Sequence, residues 1–129
     1  FKAVNDNYGH ETGDQLLQLM ATKCLEVLRD SDLIGRYGGE EFAILFLHLS
    51  AEEALEAAER LREEISHIEV SAPNGERIHI TASIGVAELS PGDRNIDALL
   101  SRADQALYEA KNAGRNQSCL ALINEGPKC

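Results

Sequence analysis

The stretch Gly38-Gly39-Glu40-Glu41-Phe42 carries the residue types most able to do chemistry in this sequence. Two glycines let a phosphate approach the backbone closely. Carboxylates at the mouth of an apolar strand offer the hard oxygen that a divalent cation binds. The plainer alternative is a glycine hairpin with solvated glutamates. Successive strand residues point to opposite faces, so Glu40 and Glu41 take different roles unless the strand is bulged. The other carboxylates, amides and cations of interest also fall at the ends of elements, where a ligand can reach them. No GxxxxGK[ST] loop, GxGxxG run, HExxH or CxxC occurs, which excludes the P-loop, dinucleotide-binding and zincin classes.

Positioning these groups takes a folded domain, and the composition allows one. A chain of 129 residues with 43% hydrophobic and 26% charged side chains is globular in character. At that size it can remove about two-thirds of its unfolded surface from water without a staple. With 12 Lys plus Arg against 22 Asp plus Glu, the net charge of -10 repels polyanions. Nucleic-acid binding is therefore disfavoured, and a phosphorylated ligand needs a local cation cluster or a metal. Cys24, Cys119 and Cys129 form no close pair, so no disulfide or zinc site is expected and the chain reads as reduced and intracellular. No apolar run approaches the ~20 residues of a membrane span. The chain opens on Phe1 without a signal-peptide pattern, and is expected to be one domain, residues 1–129, of a longer protein.

Asn5 to Gly13 reads as a polar loop, followed by a helix with Leu16, Leu17, Met20, Cys24, Leu25 and Leu28 on its apolar stripe. Cys24 is a small core hydrophobe there. Leu33–Tyr37 and Phe42–Leu47 read as antiparallel strands about a tight Gly38-Gly39 turn, the second so apolar that it should be central in its sheet. Ser50 and Glu53 form a capping box for a helix carrying Leu55, Ala58, Leu61 and Ile65. Pro73-Asn74-Gly75 is a turn, and Ile78, Ile80, Ala82, Ile84 and Val86 alternate as in one half-covered strand. Asn95 caps a third helix carrying Ile96, Leu99, Leu100, Ala103, Ala106, Leu107 and Ala110. Gly114 suits its C′ position, and Cys119 to Ile123 supply a last strand. The fold class is α+β, ferredoxin-like or palm-like, with a mainly antiparallel sheet flanked by helices.

The run GGEEF, preceded by FKAVNDNYGHETGD and RDSDLIGRYGG and followed by TASIGVA and ADQALYEAKNAGRN, resembles the GGDEF family of diguanylate cyclases. The resemblance spans nearly the whole chain, in order and at the family's spacings. It implies a fold like the palm of nucleotide cyclases and an enzyme that joins two GTP into cyclic di-GMP with release of pyrophosphate. A catalytically silent module that binds GTP or cyclic di-GMP is the alternative. A ferredoxin-like RNA-binding domain is disfavoured by 5% aromatics and the acidic charge.

By the same resemblance, Glu40 is the metal-binding carboxylate and proton acceptor for the GTP 3′-hydroxyl, and Glu41 its helper at Mg²⁺ or Mn²⁺. Asn5 and Asp14 read guanine, an amide donating to its N7 or O6 and a carboxylate accepting from its Watson–Crick edge. Without the resemblance, Asp14 as a helix N-cap and Asn5 as a turn residue is the better reading. His10, Gly38 and Gly39 contact substrate. Lys2, Lys111 and Arg115 hold the phosphates, although Lys111 and Arg115 also suit the negative end of a helix dipole. Arg29 and Asp32 match an inhibitory product site for cyclic di-GMP, with Arg60 as its secondary member. The alternative is an ordinary Arg29–Asp32 pair at a helix end. The resemblance further implies a homodimer, since each domain holds one GTP, and an N-terminal sensory or receiver module. It implies a bacterial, cytoplasmic setting in which any membrane anchor lies elsewhere in the parent. The family's first strand carries a further metal-binding aspartate that would precede Phe1.

Overall fold

A computed structural model describes residues 7–36, 41–121 and 129. The chain packs as two compact units, Phe1–Leu47 with Glu64–Ile80, and His48–Glu63 with Thr81–Cys129.

In the first unit, helix α1 (His10–Val27) starts earlier than expected, at the end of the Gly/Asn/Asp segment. Gly9 turns the chain at φ 91°, a conformation suited to glycine, and its carbonyl accepts the Gly13 amide at 3.2 Å. Leu16, Met20 and Cys24 form the buried i, i+4, i+8 stripe, and full burial of a leucine such as Leu16 contributes ~1.5–3 kcal/mol. Leu25, expected on that stripe, is exposed, because it lies about 100° around the helix from Cys24. Burial also pushes the Cys24 thiol pKa upward, as its small-hydrophobe role requires.

Strands β1 (Leu33–Arg36) and β2 (Phe42–Leu45) pair antiparallel. Among the described residues β2 has β1 as its one ladder partner, and all four β2 residues are half-buried. The expected central position is not seen there. An apolar run demands cover for its faces, which does not require a partner on each edge. β3 (Glu69–Ser71) and β4 (Arg77–His79) form a second hairpin. Its turn is the expected one, with Gly75 at φ 87°, its amide on the Ala72 carbonyl at 2.9 Å, and the Glu76 amide on Asn74 Oδ1 at 3.0 Å.

The alternating run from Ile78 is not one strand. It serves two ladders: β4 pairs back with β3, and after a break at residues 80–83 the chain enters β5 (Ile84–Ala87) in the second unit. β5 pairs parallel with β6 (Ser118–Ala121), from Ile84↔Ser118 to Ala87↔Ala121. A parallel pair needs a crossover, and α3 (Ile96–Asn112) supplies it. Asn95 caps α3 through Oδ1, which accepts the Ala98 amide at 2.9 Å. Ile96, expected on the apolar face, is exposed at the first helical position. Ala106 and Ala110 pack with Cys119 and Ala121 to form a small-residue core. Gly85 explains that choice of small residues: a Cβ there would fall on the backbone of Ala103 and Leu107, so strand and helix meet backbone to backbone.

α2 (Ala51–Ser66) opens with the expected capping box. The Glu53 amide donates to Ser50 Oγ at 3.2 Å, and the Ser50 amide donates to Glu53 Oε1 at 3.1 Å. Glu88 adds a second cap that the sequence did not reveal, its carboxylate accepting the Ala51 amide at 2.9 Å. A disulfide joins Cys119 to Cys129, correcting the expectation of three unpaired cysteines; ten residues of separation give no signal for it in the sequence. Among the described residues, no helix is long and apolar enough to cross a membrane.

Candidate functional site

Lys2, Asn5, Gly38, Gly39 and Glu40 lie outside the described residues; the strands on either side of Gly38, Gly39 and Glu40, β1 and β2, are defined. The β1–β2 register runs Leu33↔Leu45, Ile34↔Ile44, Gly35↔Ala43 and Arg36↔Phe42. An odd number of residues, 37–41, therefore separates the last pair. The Gly38-Gly39 turn expected from the sequence lies outside the described residues. Glu41, next to Phe42 at the entry of β2, is half-buried and engaged in an interaction of its own.

His10 and Asp14 share one exposed face of α1, a turn apart. Gly9 holds the N-cap position, and Asp14 is the fifth residue inside the helix, so its capping role is removed. An exposed carboxylate that caps nothing is available for a ligand's N–H groups.

Arg29 and Asp32 are brought together by a tight turn after α1, with the Asp32 amide on the Arg29 carbonyl at 3.0 Å. Arg29 donates from Nη2 to Asp32 Oδ1 at 2.8 Å, from Nε to both carboxylate oxygens at 3.3 Å, and from its own amide to Oδ2 at 2.9 Å. Its Nη2 also donates to the Leu47 carbonyl at 2.9 Å. The Arg29 hydrogen bonds hold the Asp32 carboxyl below the usual carboxylate range, against the opposing effect of burial. Arg60 lies exposed on α2.

Lys111 stands in the last turn of α3, where its charge suits the negative end of the helix. Ala113 is the C-cap, Gly114 follows at φ 117°, and the Arg115 amide donates to the Ala110 carbonyl at 2.9 Å. This is the six-to-one bond of a Schellman ending, with Gly114 at C′ as its type demands. Lys111 and Arg115 thus flank a chain reversal. The sequence reading missed two supports in the same unit. Arg102 Nη1 donates to the Glu88 carbonyl at 2.7 Å and to Asp93 Oδ2 at 2.8 Å, while the Ser90 amide reaches the same Asp93 oxygen at 2.8 Å. The Ser90 amide first, and Arg102 with it, lowers the Asp93 pKa. The pattern Ser-x-x-Asp was the available signal for that turn. The other support is the set of contacts around Asn116, described below.

The family described as "Diguanylate cyclase, GGDEF domain" matches residues 1–117, and the chain belongs to it. The diguanylate cyclase VdcA of Vibrio cholerae is 45% identical over 119 residues, 91% of this chain and 35% of that protein. The GGDEF domain of DgcB from Caulobacter crescentus, solved in complex with c-di-GMP, superposes with a TM-score of 0.87 at 37% identity, over 93% of this chain and 71% of that one. The active GGEEF domain of a diguanylate cyclase from Vibrio cholerae gives 0.85 at 36% identity, over 95% of this chain and 77% of that one. The α+β, palm-like class read from the sequence is therefore correct. The chain spans between 25% and 35% of the length of the curated relatives it matches.

Proposed function

We propose that this domain is the catalytic part of a diguanylate cyclase that condenses two GTP into cyclic di-GMP, acting as a homodimer in which each copy presents one GTP. The observation that carries the reading is the family match over residues 1–117, which encloses every candidate residue from Lys2 to Arg115. In each half-reaction the 3′-oxygen of one GTP attacks the α-phosphorus of the other. A P–O bond forms, the bond to pyrophosphate breaks, and the hydroxyl proton passes to Glu40. Asn5 and Asp14 hold guanine, with His10 on the same helix face as Asp14. Lys2, Lys111 and Arg115 balance the phosphate charge that a domain of net charge -10 would otherwise repel.

Mg²⁺ or Mn²⁺ fits the donor chemistry of Glu40 and Glu41. No group of three or more His, Cys, Asp or Glu gathers among the described residues. Mg²⁺ is typically held by one or two carboxylates, with waters and substrate phosphates completing its shell. When bound, the ion supplies Lewis-acid polarisation of phosphate oxygens. We further propose that cyclic di-GMP binds back at Arg29, Asp32 and Arg60, and that the full-length protein is cytoplasmic on its catalytic side and carries an N-terminal input module.

The test is turnover by the full-length protein with GTP or ATP and Mg²⁺, beside Glu40→Ala. Product is expected from GTP alone, with turnover in the variant lowered at least about a hundredfold. Cyclic di-GMP formed equally well by the variant removes Glu40 from the mechanism. GTP binding without product in the wild type points instead to the silent nucleotide-binding module.

A further inference from the structure

The turn after α3 is tied down more thoroughly than an exposed connection requires. Gly114, Arg115 and Asn116 take φ values of 117°, 64° and 48° in succession. Glycine enters that region freely and asparagine readily, whereas an arginine persists there when its surroundings hold it. Here they do. The Asn116 amide donates to Ser83 Oγ at 3.2 Å, and Arg62 Nη1 donates to Asn116 Oδ1 at 2.8 Å from α2. Gln117 Nε2 donates to the carbonyls of Ala113 at 3.0 Å and Arg115 at 3.1 Å, while the Gln117 carbonyl accepts the Ile84 amide at 3.0 Å. Arg62 is itself braced through Nε by Glu59, with its side chain only 18% exposed. All this fixing is applied to the backbone that carries Arg115. The Arg115 guanidinium itself has no hydrogen bond or ion pair among the described residues.

We infer that Arg62, acting through Asn116, is a positioning residue that presets Arg115 for the terminal phosphates of a nucleoside triphosphate. The inference rests on the reading above that Arg115 binds those phosphates. A fixed backbone lowers the conformational cost of ordering a long cationic side chain on a ligand, so affinity for the terminal phosphates rises although Arg62 does not touch them. Arginine is suited to the task because its rigid guanidinium engages Glu59 and Asn116 together, which a lysine ammonium at the end of a flexible stem does not reproduce.

The experiment uses the full-length protein with Mg²⁺ and two probes: 3′-deoxy-GTP, which cannot form product, and GMP, which lacks the terminal phosphates. Arg115→Ala should weaken 3′-deoxy-GTP by ~10-fold or more and leave GMP unchanged. Arg62→Met should weaken 3′-deoxy-GTP about three- to fivefold, again sparing GMP, and should add nothing in the Arg115→Ala background. Asn116→Gly keeps the left-handed backbone but removes the acceptor. It should behave as Arg62→Met does, and carries the test if Arg62→Met fails to fold. Equal weakening of both probes, no weakening of either, or losses that add to that of Arg115→Ala would each overturn the positioning role. If Arg115→Ala itself binds 3′-deoxy-GTP as the wild type does, the phosphate reading fails first and takes this inference with it.

Discussion

Arg29 and Arg115 are both candidate ligand-binding arginines just beyond a helix end, yet they are held in opposite ways. The Arg29 guanidinium is committed to its own chain, to the Asp32 carboxylate and the Leu47 carbonyl. At Arg115 the fixing falls on the backbone, through the Ala110 carbonyl and the neighbouring Asn116, and leaves the charged head without a partner among the described residues. A ligand at Arg29 must exchange with bonds already made, so its affinity reflects a difference between two sets of charge-assisted contacts. A ligand at Arg115 adds contacts to a guanidinium that has no other partner among the described residues and stands on a fixed backbone. The difference suits the two roles proposed: a product site that responds to accumulation, and a substrate site that is ready beforehand.

The contrast breaks most severely if α3 is dislodged from β5. Gly85→Ala puts a methyl into the backbone of Ala103 and Leu107, which cannot yield as a side chain can. A stability loss of about 3 kcal/mol or more is expected, read from the urea midpoint with an unchanged m-value. A near-wild-type midpoint would show that the helix stands off the strand. Next in size, Arg29→Ala should weaken cyclic di-GMP binding about tenfold by calorimetry. The accompanying stability loss should stay below about 1 kcal/mol, because Arg29 is about half exposed. Unchanged affinity would take Arg29 out of product binding and leave it a helix-end ion pair.

The smallest effect is the pH dependence of the Arg29–Asp32 pair. Asp32 has a lowered pKa in the folded protein, so its ionised pair stabilises the fold above the unfolded value of about 3.9. That contribution disappears as pH falls through the lower folded value. Asp32→Asn should therefore be less stable than wild type by a constant amount, under ~1 kcal/mol, from pH 7 to 5, with the gap closing below about pH 4. A gap that persists to strongly acidic pH would separate the effect of Asp32 from its charge.

How much of this was legible follows from the range of each interaction. The Ser50–Glu53 capping box, the Asn95 cap, the Pro73-Asn74-Gly75 turn and Gly114 after α3 were all readable, because each bond closes within five residues and residue type dictates the geometry. The roles given to Glu40, Glu41, Lys111 and Arg115 came from the family resemblance, because residue type and spacing alone left a solvated hairpin and a helix-dipole role open. The division of the run from Ile78 between two ladders was not readable, because strand pairing depends on which distant segments meet. Nor were the exposed faces of Leu25 and Ile96, which depend on which side of each helix the neighbouring elements cover.

Residue order alone therefore settled the family, the Ser50–Glu53 capping box of α2 and the Asn95 and Gly114 ends of α3, for these rest on local backbone preferences and side-chain identity. Packing across the chain decided three other things. It split the run from Ile78 between two ladders, laid Gly85 against the α3 backbone, and set Arg62 on Asn116 from 54 residues away. A hydrogen bond or close approach between distant residues exists only after the chain has folded, and no local propensity encodes its partner.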